Sequence, residues 1–200
     1  MYGEIIKVRL KLKQQGFPYN ILTLFIELSD WKYEEVASYG SLVGPRAVKT
    51  FVMNMTSQNW LTEDDVDRTL WYHEIVISLP KKIHPDFAKS CIIYIDGGGN
   101  KPDQIMPEND INVVGSQQIA LMTDSCVAII RQVPNQKLYF KNDERRGKDG
   151  REEDDIIAWT WKHFFMYPNQ PDWLVRLPMT KTVRLGLLLT TALHFFFALT

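Results

Sequence analysis

The residues best equipped for chemistry are consecutive: Asp96-Gly97-Gly98-Gly99-Asn100, with Arg131 further along the chain. A run of three glycines lets the backbone reach positive φ and come close to another group, leaving its N–H groups uncovered. Just before it, Cys91 to Ile95 is an apolar pentapeptide bounded by turn residues, the pattern of a fully buried strand. A central strand that ends in an open glycine loop is therefore expected. In open α/β sheets ligands sit just beyond the carboxyl ends of strands, which makes Gly97, Gly98, Gly99 and Asn100 the candidate site. The alternative is a tight turn that needs glycine for conformation alone. Asp96 either organises the loop by accepting backbone N–H bonds or takes part in catalysis. Arg131 follows a second apolar run, Cys126 to Ile130, and binds either a substrate carboxylate or an acid internal to the fold, since a buried guanidinium must be paired.

Other chemistries find little footing. His73, His84, His163 and His194 are scattered, with no metal-ligand spacing, and neither metal nor cofactor is expected. Cys91 and Cys126 lie inside apolar runs and read as buried free thiols rather than a disulfide framework. The 200 residues, 45% of them hydrophobic, suffice for one domain, and a net charge of −1 offers nucleic acid no footprint. Asn54-Met55-Thr56 is a glycosylation sequon, meaningful in a secreted chain whose Asn54 faces outward. The tryptophans Trp60, Trp71, Trp159, Trp161 and Trp173 read as core rather than ligand platforms.

The elements that must position these residues follow from pattern. Residues 1–30 read as an N-terminal extension, and their basic start precedes too short an apolar run for a clear signal peptide. Trp31 to Ala47, with Ser38, Gly40, Ser41, Gly44 and Pro45, reads as loop. Val48 to Trp60 and Trp71 to Leu79 alternate as strands and pair antiparallel as an edge ribbon. Cys91 to Ile95, a helix from Gly115 to Thr123 and Cys126 to Ile130 make a βαβ unit with parallel strands and a right-handed crossover. Lys141 to Asp155 is a solvated charged run, Asp154-Asp155 opens a helix to Met166, and a further helix begins at Met179. Leu185 to Thr200 is nearly all apolar yet shorter than the roughly 20 residues that span a bilayer, and reads as a buried helix, a marginal tail anchor in contact with a membrane, or sequence foreign to the ancestral domain.

Six segments then acquire a common meaning: 53–61 (Met-Asn-Met-Thr-Ser-Gln-Asn-Trp-Leu), 67–73 (Asp-Arg-Thr-Leu-Trp-Tyr-His), 95–100, 131–136 (Arg-Gln-Val-Pro-Asn-Gln), 155–161 and 176–181 (Arg-Leu-Pro-Met-Thr-Lys). In this order they resemble the PhoPQ-activated pathogenicity-related protein family over roughly Trp31 to Lys181. The resemblance implies an α/β-hydrolase-type fold in secreted or exported proteins, with Gly97 to Asn100 where such folds place one oxyanion-hole N–H. It also implies a nucleophile on a G-x-S-x-G elbow, and the sequence has none: the spacing around Ser41 is wrong, and Gly115-Ser116 lacks the second glycine. The expectation is thus an α/β chain holding the N-terminal half of a hydrolase-like mixed sheet over 31–181, then a divergent apolar tail over 182–200. No catalytic residue is assigned, and the chain as written is expected to be inactive. Its partner would be a small ester or peptide substrate, or a cell-surface receptor if it is a non-enzymatic signalling protein. Two central strands at the end of a half sheet would leave a bare apolar edge, hence a poorly soluble or dye-binding chain.

Overall fold

Apolar alternation along Val48–Asn59 and Leu70–Pro80 gives β2 and β3, which pair antiparallel through nearly their full lengths. The computed structural model describes residues 31–41, 44, 47–99, 105–143 and 149–198. The remaining strands are β1 (Lys32–Ser41), β4 (Cys91–Ile95) and β5 (Cys126–Ile130), and the five form one mixed sheet in the order β1-β2-β3-β5-β4. The β4–β5 pair is parallel and the other pairs are antiparallel. Three α-helices complete the chain: α1 (Ile111–Thr123), α2 (Glu153–Met166) and α3 (Arg176–Ala198).

The strand period of two sorts side chains onto two faces. Met53 and Met55 of β2, Trp71, Ile75 and Ile77 of β3, and Ala128 and Ile130 of β5 join Ile156, Met179, Leu185 and Leu189 in the main core, under α2 and α3. On the other face Val52, Val76 and Ile129 pack with Val113 of α1, and Val48 and Val127 with Ala120. Helix α3 sits close over β5 because residue 186 has no side chain; a Cβ there would lie 2.4 Å from Cδ1 of Ile130. This helix runs without interruption through the 181/182 boundary, and Thr182, Leu185, Leu189 and Thr190 are all buried. Among the described residues, no helix is long and apolar enough to cross a membrane.

Two expectations need correcting. Residues 32–41 are a strand, not a loop: β1 pairs with β2 across a bulge between Glu35 and Ala37, placing a further strand outside the expected ribbon. Its side chains are mostly exposed, so burial left no periodic signature, while its serines and glycine signalled a turn. The second correction concerns β4, which is not central. Its chain neighbour β5 is inserted between β3 and β4, so the described residues give β4 a partner on one side only. Ile92, Tyr94 and Ile95 are 43%, 59% and 39% exposed.

Helix boundaries differ from expectation for local reasons. Asp110 caps α1, its carboxylate accepting the Asn112 N–H at 2.8 Å, so the helix begins ahead of Gly115. Pro178 falls within the first turn of α3, where its missing N–H costs no helical bond, so that helix begins ahead of Met179. Asn54 lies half-buried on β2, opposite Glu34 of β1 and Glu74 of β3.

Candidate functional site

The glycine loop leaves β4 at the carboxyl end of the parallel pair, where the sequence placed it. Its backbone is pinned to the segment after β5: Gln132 N–H donates to Gly97 O at 2.8 Å and Val133 N–H to Asp96 O at 3.2 Å. The amides of Gly97, Gly98 and Gly99 have no acceptor among the described residues. Gly98 has φ +93°, a backbone conformation that favours glycine, and a Cβ there would lie 3.2 Å from Nη2 of Arg131. Gln136 and Glu153 flank Gly97 on another side, with the Gln136 carbonyl accepting the Glu153 N–H at 2.7 Å where α2 begins. Asn100 lies outside the described residues.

Arg131 lies beneath this loop. Its Nη1 donates to Glu74 Oε2 at 2.7 Å, and its Nε is 3.6 Å from Asp96 Oδ2. An internal acid therefore holds the guanidinium, while Asp96 provides a looser second charge. Gln132 closes the cluster: its carbonyl accepts the Glu74 N–H at 2.7 Å and its amide donates to Glu74 Oε2 at 3.2 Å. Burial raises the Glu74 pKa above the usual carboxylate range even though Arg131 pulls it down and Asp110 adds to the rise. Gln132 has φ +58°, a strained conformation for a residue with a side chain. Glu74 and Gln132 were not legible as site residues, because their partners lie 57 and 58 positions away.

On the opposite face a polar cluster ties α3 to the sheet. Ser57 Oγ lies 2.9 Å from His73 Nε2, Thr182 Oγ1 lies 3.2 Å from the same nitrogen, and His73 Nδ1 lies 3.1 Å from Arg131 O. A serine beside a histidine suggests a nucleophile and its base, yet His73 is fully buried and Ser57 is 1% exposed. Both are closed off from solvent here, and the cluster joins α3 to the sheet. Burial lowers the His73 pKa to about 4, so the ring is neutral at pH 7.

The third feature is a cleft of about 560 Å³ formed by the end of β2, the turn after it, the loop after α2 and the start of α3. Trp60, Leu61, Thr62, Asp172, Trp173 and Lys181 are among its walls. Its aromatic side is fixed in place: Trp60 Nε1 donates to Asp172 O at 2.8 Å, and the Trp173 ring stacks on His163 with centroids 3.6 Å apart. Leu61 holds φ +59° in this wall, so another strained residue lies at the same end of the sheet. The cleft and the glycine loop are distinct, since the ends of β2 and β4 are separated by three strand spacings, about 14 Å. Two of the segments carrying the resemblance, 53–61 and 176–181, meet in the cleft. Among the described residues, no group of three or more His, Cys, Asp and Glu could hold a metal ion.

Comparison with known proteins gives this geometry a family. The profile described as PhoPQ-activated pathogenicity-related protein matches residues 32–194. Autocrine proliferation repressor protein A of Dictyostelium discoideum is 31% identical over 154 residues, which is 76% of this chain and 28% of that protein. The chain thus spans under a third of that relative's length. No solved structure matches it significantly. On the profile match and this relative together, the chain belongs to the PhoPQ-activated pathogenicity-related protein family.

Proposed function

We propose that this chain is part of a secreted, α/β-hydrolase-like protein in which the loop from Gly97 acts as an oxyanion-type element for ester or peptide cleavage. The observation that carries the reading is that the amides of Gly97, Gly98 and Gly99 find no acceptor among the described residues, at the carboxyl end of β4 with Arg131 beside Gly98. Preorganised N–H groups of this kind stabilise a developing oxyanion without reorganising as the reaction proceeds; losing one such donor typically costs about 10²–10³ in kcat. The strand order β3-β5-β4, which among the described residues leaves the outer edge of β4 without a partner strand, supports the same reading. In it, a further strand pairs along β4 and brings the missing serine elbow beside the glycine loop.

The test uses the natural protein, purified from its source. Its C-terminal peptides are mapped by mass spectrometry, and it is assayed on p-nitrophenyl acetate and labelled with a fluorophosphonate. The reading requires sequence beyond Lys181 that includes a labelled serine, with the 200-residue chain inactive beside it. A natural protein that ends at Thr200, takes no label and turns over no ester overturns it.

The printed name of the Dictyostelium relative favours a second reading, a non-enzymatic signalling or binding protein. The cleft with its fixed indoles would then receive a ligand or a receptor segment. Receptor binding that survives complete serine labelling would choose this reading.

A further inference from the structure

Cys91 opens β4 and Cys126 opens β5, and the two are direct partners in the parallel register. Both face the main core under α2 and α3, and their sulfurs lie 2.7 Å apart. Cys126 is fully buried and Cys91 is partly open to solvent, both as free thiols. Neighbouring strands run about 4.7–4.9 Å apart, within the roughly 4.4–6.8 Å Cα separation that a disulfide requires. The register therefore brings the two residues within disulfide reach.

We propose that Cys91 and Cys126 are a reversible redox pair, whose oxidation by a small disulfide such as oxidised glutathione cross-links the exposed strand β4 to the buried strand β5. The Cys91 thiolate, the accessible member, attacks one glutathione sulfur; the glutathione S–S bond breaks and one glutathione thiolate leaves. The Cys126 thiolate then attacks the Cys91 sulfur of the mixed disulfide and expels the second thiolate. Two cysteine thiols lose two electrons, one glutathione disulfide gains them, and the two thiol protons pass to the departing glutathiones. Contact with Cys91, followed by burial, pushes the Cys126 thiol up, so Cys126 is not the thiol that opens the exchange.

The cross-link would close a loop containing the glycine segment and α1, which lie between the two cysteines. It would also hold the first residue of a strand five residues long with, among the described residues, a ladder on one side only. Two independent features support a role for the pair: the thiols face each other in register, and one of them is reachable from solvent.

The experiment equilibrates the purified 200-residue chain with oxidised glutathione and measures intact mass before and after reduction. The expected product is about 2 Da lighter than the reduced chain, carries no glutathione and shows no thiol reactive to maleimide after unfolding. Cys126→Ser should stop at a stable glutathione adduct on Cys91, and Cys91→Ser should remain unmodified. Hydrogen exchange on wild type adds a readout free of mutation, with the β4 amides about tenfold slower in the oxidised form. Two titratable thiols after equilibration, or a persistent glutathione adduct on the wild-type chain, overturn the proposal.

Discussion

The pentapeptides Cys91–Ile95 and Cys126–Ile130 are the same kind of sequence, β-branched and uncharged, but they occupy opposite situations. All of β5 is buried, between β3 and β4 and beneath helices on both faces. Along β4, which has a partner on one side only among the described residues, Ile92, Tyr94 and Ile95 are exposed. Composition decides that each is a strand, whereas position comes from the crossover, which carries β5 past β4 to pair with β3. The difference teaches that an apolar run reports the need for burial and not where burial is obtained. In β4 much of that need is unmet among the described residues.

The contrast can be broken from the buried side first. Ile130→Ala leaves a void under Gly186, in a core that cannot fully collapse around it, and should cost about 2–5 kcal/mol in urea unfolding. A loss under about 1 kcal/mol would mean that β5 is not the packed centre of the sheet.

The next effect is a dependence on pH from the same face. His73 titrates near 4 in the fold and near 6.5 in a free chain. Above about 6.5 neither state is protonated there and the contribution of His73 is intact. Between 6.5 and 4 the unfolded chain takes up a proton that the folded chain refuses, and stability falls by about 1.4 kcal/mol per pH unit, about 3 kcal/mol in all. Glu74, with its raised pKa, acts with the opposite sign: its contribution is lost as pH rises through its folded value. His73→Gln should therefore flatten the acid slope of the unfolding free energy, and an unchanged slope would remove His73 from the account.

Gly186→Ala tests the close approach of α3. The new methyl must displace the Ile130 side chain, an overpacking cost of about 1–3 kcal/mol, against a helix-propensity gain near 1 kcal/mol. A net loss of up to about 2 kcal/mol is expected from thermal melts, and a stabilised variant would place the helix further from β5.

The smallest effect belongs to the edge. Tyr94→Lys should change stability by no more than about 0.5 kcal/mol while reducing hydrophobic-dye binding and aggregation, because charge on an edge strand disfavours further pairing. Equal dye binding in both forms would locate the adhesive surface elsewhere.

The sequence carried the mixed sheet well, because alternation along β2 and β3 and the paired apolar runs are local signals. It missed β1, whose exposed side chains carry no burial period, and it took β4 for central because a pentapeptide holds no record of its neighbours. The glycine loop was legible as a loop, since three glycines state their conformational purpose directly. The cleft was not, because Trp60 and Asp172, which meet in its wall, are 112 positions apart. The Glu74 and Gln132 partners of the Arg131 cluster were hidden for the same reason.

The insertion of β5 between β3 and β4 also sets an order of events during synthesis. β4 leaves the ribosome first, yet its only described partner lies 35 residues downstream. At about 5–20 residues per second, Cys91 to Ile95 waits some 2–7 s without a ladder. For that interval an uncharged, β-branched segment is open to any other nascent strand. The topology thus makes synthesis the period in which β4 has the least of its sheet around it.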